Sequence, residues 1–356
     1  TLQNIVPNKP FYSYTSSNDN ADNIVFDITN AIGLSSSTIT TLQKIIKQKS
    51  EIHNNGGSDG GCSGHHEYKY VSSNEYDLRN EIDTHSLFNE FRPDVVIHLA
   101  SCVGGVYKNL GNNYSFLMDN TKMHLNIINC CNVYNVKRLI NILSTCIFPD
   151  EKVEYPLTSD QLHNGLPHYS NIGYAFSKRI LHLASKLLSN KDSNFKVINI
   201  TPTNLYGEND NYNLFASHVI PGLVHKVYIA QKYKTPLEVL GTGKAIRQFL
   251  YADDLSQVIY KFIDLELEEN ETSLIVSPPE KDEISIRDLV YNICNIFGFD
   301  HNNIIYNEAY SDGQYKKTTN DSELKKYLPD FQFTPLSVGL ENVISYFNEY
   351  YNFVRK

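Results

Sequence analysis

No apolar run in this chain approaches the roughly 20 residues that a membrane-spanning helix requires, and no stretch interleaves Lys and Arg with aromatics. The first absence argues against a membrane protein. The second, together with a net charge of −9, argues against a nucleic-acid-binding surface. The six cysteines, at positions 62, 102, 130, 131, 146 and 294, include no CxxC pair. Neither a metal site nor a disulfide framework is therefore expected, and reduced thiols in a cytoplasmic protein are the plain reading. The opening residues lack the basic and apolar regions of a secretory signal. They also lack an initiator Met, so residues upstream are expected.

What the chain does contain is 41% hydrophobic and 20% charged residues over a length of 356, enough for one large core or two smaller ones. Short apolar runs predict strands at Ile24–Ile28, Tyr68–Ser72, Asp94–Ala100, Leu139–Ser144 and Val197–Thr201. Helical spacing falls between them: Ile39, Leu42 and Ile45, then Phe116, Met123, Ile127, Cys130 and Tyr134, then Ile180, Ala184 and Leu187. Strands alternating with helices predict an α/β fold, a doubly wound parallel sheet of Rossmann type whose ligands bind outside the carboxyl ends of the strands. After Thr201 the alternation weakens, and a smaller C-terminal α/β substrate domain is expected, with helices at Ser285–Phe297 and near Val338–Phe347. The expected division is a poorly ordered tail at 1–22 and a cofactor domain at 23–205, to which the chain returns at about 248–277. The substrate domain takes 206–247 and 278–356. The Gly/Ser/His-rich residues 49–66 are expected to form a flexible insertion.

Tyr174 and Lys178 stand four apart, on one face of a helix. A lysine there lowers the pKa of the phenol, so the tyrosine can pass a proton to a carbonyl oxygen. Ser144, at the end of an apolar strand, can hydrogen-bond the same oxygen. These are the protein groups that hydride addition to a ketone needs, the hydride coming from a nicotinamide. Cys146, two positions on, shares the Ser144 side of an extended strand. Taken alone, Cys146 reads as a small buried residue, and His218 as a helix-start residue bonded to backbone. After the first strand, Asn30, Gly33 and Ser36 stand where a dinucleotide-binding turn carries three glycines, and only Gly33 is kept.

Several segments together resemble the GDP-L-fucose synthase family of extended short-chain dehydrogenases/reductases. They are VIHLAS (96–101), VGG (103–105), STCIFPD (144–150), HNGLPH (163–168), GYAFSK (173–178), PTNLYG (202–207), SHVIPGL (217–223), GTGKAIRQFLYADDL (241–255), DGQYKK (312–317) and YLPDF (327–331). The resemblance implies C3/C5 epimerisation of GDP-4-keto-6-deoxy-D-mannose followed by NADPH-dependent reduction at C4. It implies catalytic roles for Ser144, Cys146, Tyr174, Lys178 and His218, with Cys146 and His218 exchanging protons on opposite faces of the sugar. Cofactor contacts fall on Asn30, Gly33, Ser36, Leu99, Ala100, Tyr174, Lys178, Pro202, Asn204 and Leu205. Substrate contacts fall on Val219, Lys226, Arg247, Asp312 and Lys317, the last two in a segment closing over the GDP end. A homodimer is implied through the helix at about 113–134 and the Tyr174 helix. The eroded glycine turn leaves two other readings open: a sugar-nucleotide-binding protein with impaired cofactor binding, or another extended reductase or 4-epimerase acting on a sugar nucleotide.

Overall fold

The computed structural model describes residues 23–27, 40–45, 67–104, 106–151 and 153–356. The tail at 1–22, the turn bearing Asn30, Gly33 and Ser36, and the 49–66 insertion lie outside the described residues.

In chain order the elements begin with β1 (Asn23–Asp27), a helical stretch α1 (residues 40–45), β2 (Glu67–Val71), α2 (Glu81–Phe91), β3 (Val95–His98), α3 (Val106–Val133) and β4 (Arg138–Ile142). Next come α4 (Ile172–Lys191), β5 (Lys196–Pro202), β6 (Asn204–Tyr206), α5 (Val219–Tyr233), β7 (Leu237–Leu240), β8 (Ile246–Arg247), β9 (Phe249–Tyr251) and α6 (Ala252–Asp264). The last are β10 (Glu271–Val276), β11 (Ile284–Ser285), α7 (Ile286–Phe297), β12 (Ile304–Asn307), α8 (Ser322–Lys325) and α9 (Leu336–Glu349).

One sheet of six strands runs β10–β5–β4–β3–β1–β2, and every neighbouring pair is parallel. All four residues of β3 are buried, as a strand covered by helices on both faces requires. β1 lies between β2 and β3, so the chain leaves it to one side and then crosses to the other. That reversal opens a crevice at the carboxyl ends of β1 and β3.

On one face Met123, Ile127 and Leu181 of α3 and α4 pack on Leu139 and Val197. On the other, Leu255, Val258, Ile259 and Phe262 of α6 pack with Leu42 on Ile97, Ile140 and Ile198. A separate core joins α5, α7 and α9 through Val224, Val227, Leu289, Ile293, Leu340 and Phe347. Helix α7 starts where its cap dictates: Ser285 Oγ accepts from the Asp288 amide, and Gly298 closes it in the left-handed conformation.

Three expected strands end earlier than the apolar runs that predicted them. β2 stops at Val71, β3 at His98 and β4 at Ile142. After β3 and β4 the next residues, Leu99, Ala100 and Leu143, stay buried, whereas Ser72 after β2 and Ser144 are half-buried.

A polar cluster crosses α4 and β10. His163 Nε2 lies 3.0 Å from His182 Nδ1, and His182 Nε2 lies 3.0 Å from Ser273 Oγ. Glu271 sits beside it, salt-bridged to Lys186 at 3.2 Å. Burial lowers the His182 imidazole from 6.5 to about 4. The folded protein therefore leaves His182 neutral where the unfolded chain already binds a proton, and stability falls as pH drops from about 6.5 toward 4. Glu271, held below its ordinary value although burial opposes this, adds a loss of the same sign in acid. In urea titrations across this window, His182→Gln is expected to flatten the pH dependence of stability. An unchanged slope would contradict the assignment.

Candidate active site at the carboxyl ends of β3 and β4

The backbone turns sharply after β4. Ser144 is extended (φ −165°, ψ 145°) and caps a single 3₁₀ turn, Thr145–Ile147, its Oγ accepting from the Cys146 amide at 3.4 Å. A serine side chain competes for a nearby backbone donor in this way and ends a strand. Cys146 therefore does not share a strand face with Ser144, as alternation predicted. The 3₁₀ turn places it there instead, half-buried beside Val103, Phe116 and Tyr174.

Tyr174 and Lys178 come from the first turns of α4, and both side chains are buried. This end of α4 is pressed against α3: Gly173 N donates to Asn113 Oδ1 at 3.0 Å, next to a kink in α3 at Asn112. Burial pushes the Tyr174 phenol well above its ordinary value, and neighbouring Cys146 adds to the rise. The hydroxyls of Ser101 and Ser144 oppose it. Burial wins, so the phenol keeps its proton at neutral pH. The expectation that Lys178 lowers this pKa is corrected here. Its amine donates to the Ile142 carbonyl at 2.8 Å and lies 5.9 Å from the Tyr174 ring centre.

Burial also raises the Cys146 thiol, while Lys317, Ser144, Lys178 and Asn171 pull it down. Asn171 precedes α4 and is itself buried. Sequence reasoning missed it, because a cap asparagine carries no chemical signature of its own. His218 stands just before α5 without a side-chain capping bond. Its imidazole is lowered first by burial and then by Arg355. No hydrogen bond among the described residues joins it to Cys146 or Tyr174. The structure thus brings Ser144, Cys146, Tyr174 and Lys178 together and sets His218 on a separate element.

The expected cofactor residues flank this group. Leu99 and Ala100 are buried directly after β3, and Pro202 ends β5. Leu205 is buried in β6, and Asn204 Nδ2 donates to the Gln248 carbonyl at 2.9 Å.

Of the expected substrate residues, Arg247 lies within electrostatic reach of both Asp312 and Lys317. Val219 is exposed, and Lys226 Nζ reaches the Glu238 carbonyl at 3.4 Å. Arg247 donates to the carbonyls of Ile246 (2.7 Å), Tyr315 (3.1 Å) and Gln314 (2.5 Å). Asp312 accepts from the Thr242 amide at 2.7 Å and from its hydroxyl at 2.5 Å. That clamp fits a turn in which Gly241 (φ +88°) and Gly243 (φ +74°) take the left-handed backbone open to glycine. Asp312 and Arg247 thus have structural duties that motif position did not reveal. Lys317 lies among the charges around Cys146 and Arg247.

Gln248, also unpredicted, ties these segments together. Its amide nitrogen donates to the carbonyls of Pro278 and Thr319 at 2.8 and 2.9 Å, and its Oε1 accepts from Thr319 N at 2.9 Å. All of this is buried. Gln248→Ala is expected to cost about 2 kcal/mol, because it strands buried partners. Urea midpoints at unchanged m-value would measure it, and a variant as stable as the parent would contradict it.

The sequence profile of the NAD dependent epimerase/dehydratase family matches residues 42–275. The GDP-L-fucose synthase of Dictyostelium discoideum is 39% identical over 287 residues, 81% of this chain and 88% of that protein. A probable GDP-L-fucose synthase of Drosophila melanogaster is 33% identical over 294 residues, 81% of this chain and 90% of that protein. The crystal structure of a GDP-L-fucose synthetase from Naegleria fowleri bound to NADP superposes with a TM-score of 0.81 at 34% identity, covering 95% of this chain and 98% of that one. With a profile match over most of its length and relatives above 30% identity across four-fifths of it, the chain belongs to the NAD dependent epimerase/dehydratase family and, within it, to the GDP-L-fucose synthase family.

Proposed function

We propose that this protein converts GDP-4-keto-6-deoxy-D-mannose to GDP-L-fucose, inverting C3 and C5 and then reducing C4 with NADPH. The observation that carries the reading is the convergence of Ser144, Cys146, Tyr174 and Lys178 at the end of β4, in a chain with close relatives of that activity.

The C4 ketone acidifies the C–H bonds on either side of it. Cys146 takes the proton from one face, and His218 returns one on the other. Tyr174 and Ser144 donate hydrogen bonds to the C4 oxygen as negative charge builds there. Because burial keeps Tyr174 protonated, it is also the acid that completes the alcohol. Bound NADPH supplies the hydride to C4.

The donor set suits such a nucleotide. Thr203 Oγ1, just past β5, is buried without a hydrogen-bond partner among the described residues, and the buried Lys178 of α4 brings its amine to the Ile142 carbonyl at the end of β4. Both stand at the carboxyl edge of the sheet, where dinucleotides bind. Lys178 would hold the nicotinamide ribose. Leu99, Ala100, Pro202, Asn204 and Leu205 would line the cofactor cleft, and Asn30, Gly33 and Ser36 would form its pyrophosphate turn. Val219, Lys226, Arg247 and Asp312 would line the GDP-sugar cleft. The reading divides the chain into a cofactor lobe (23–205 with 248–277) and a GDP-sugar lobe (206–247 with 278–356).

It includes a cytoplasmic homodimer formed through α3 and α4. Tyr114 and Met118 on α3 and Leu183 and Leu187 on α4 support this, being large apolar side chains left exposed at helical spacing.

Fluorescence titration with NADPH, followed by addition of the GDP-sugar, tests the proposal. Saturable binding and oxidation of the cofactor upon substrate addition are expected. Binding of the GDP-sugar without any NADPH binding would overturn it.

A further inference from the structure

The loop that carries Ser144 and Cys146 is held at both ends by consecutive residues of α4. Before it, Lys178 Nζ donates to the Ile142 carbonyl at 2.8 Å, and Leu143 N donates to the Ile200 carbonyl of β5 at 2.7 Å. After it, Arg179 Nε donates to the Ile147 carbonyl at 2.8 Å. Between these anchors the turn has little of its own. Ile147 N reaches the Ser144 carbonyl at 3.1 Å, but Phe148 N lies 3.4 Å from the Thr145 carbonyl and Cys146 N lies 3.4 Å from Ser144 Oγ. Bonds of that length fall outside the usual N–H···O range and are weak. A single 3₁₀ turn also has poorer hydrogen-bond geometry than an α-helix.

The Arg179 fork also reaches a second segment. Its Nη1 donates to the Gly165 carbonyl at 2.7 Å, in the stretch that leads back to α4. Leu166 there accepts from the Asp150 amide at 3.0 Å. His163 meets His182, one turn further along the same face of α4, at 3.0 Å. A planar guanidinium presents several donors in a fixed fork, so one side chain can hold carbonyls of two segments at once. It does so at a cost. Arg179 is buried, and among the described residues no carboxylate lies within salt-bridge distance of it and Nη2 has no hydrogen-bond partner. A buried cation without a counter-charge is destabilising, so an apolar residue would serve a purely packing role here. The carbonyl clamp is what the guanidinium adds.

We propose that Arg179 is a positioning residue for Cys146, its two carbonyl bonds fixing the 3₁₀ turn so that the thiol stays at the ketone pocket. The inference rests on the proposed epimerase reading for its purpose, though not for the first part of its test.

Hydrogen–deuterium exchange, read by mass spectrometry on the full-length protein, tests the clamp without substrate. Arg179→Met keeps an unbranched stem but removes the donors. In that variant, peptides spanning 143–150 and 163–168 are expected to exchange at least about tenfold faster, while β5 and the centre of α4 keep their parental protection. Arg179→Lys, which reaches one carbonyl at a time, should fall between the two and carries the comparison if the Met variant does not fold. In turnover, deuterium exchange at C3 of the sugar should fall about 10²-fold in Arg179→Met, the loss expected when a reacting group is displaced by near 1 Å. Reduction of an already inverted ketone and the KM for the GDP-sugar should each change by less than about fivefold. A general structural role would instead lower both chemical steps together. Unchanged protection at 143–150 would overturn the proposal, as would an equal loss of protection across the whole sheet. A parent protein without activity would defeat the proposed function, and local exchange at 143–150 would still decide the clamp.

Discussion

Cys146→Ser is expected to lower the rate of C3/C5 inversion by a factor on the order of 10³ while leaving NADPH affinity unchanged. A serine fills nearly the same volume, so the 3₁₀ turn capped by Ser144 should persist. What is lost is acidity: an alcohol is a far weaker acid than the thiol it replaces, whose rise through burial Lys317, Ser144 and Lys178 oppose. Deuterium exchange at C3 with NADPH withheld measures the step, and reduction of an already inverted ketone should survive. This variant also separates the alternatives. A 4-epimerase working by oxidation and reduction at one carbon has no use for the thiol, so undiminished product formation would sink the 3,5-epimerase assignment.

Gly173→Ala is the second large effect, and it acts through packing. A Cβ at residue 173 would stand 1.9 Å from the Asn113 carbonyl oxygen and 2.7 Å from its carbon. Those are backbone atoms of α3, so relief requires moving one helix off the other. The expected loss is about 3 kcal/mol, at the upper end for overpacking. Tyr174 is the next residue. A displacement near 1 Å should cost its proton-donor role roughly 10²-fold in C4 reduction. Urea unfolding and single-turnover reduction would register the two effects separately, and parental stability would show that α3 and α4 do not meet as described.

The parts legible in the sequence were those with a local period. Tyr174 and Lys178 share a face of α4 because a helix turn takes 3.6 residues, and the buried run Val95–His98 announced a parallel strand. Cys146 was reached by the wrong route. Strand alternation was extended past Ile142, where a serine side chain had already captured the backbone. The placement of Lys317 within electrostatic reach of Cys146 was not legible at all. It joins residues far apart in the chain, through a segment whose direction is set by Glu283, Tyr155 and Gln248. Asp312 and Arg247 show the complementary limit: motif position marked them, but not the structural bonds that already occupy them.

The central claim is that one pocket inverts two carbons and then reduces a third. The most direct test is a single incubation of enzyme, GDP-4-keto-6-deoxy-D-mannose and NADPH in D₂O, with the product read by NMR. The account predicts GDP-L-fucose bearing deuterium at C3 and C5, protium at C4, and consumption of one NADPH per product. A reduced but uninverted 6-deoxyhexose, with protium retained at C3 and C5, would contradict it.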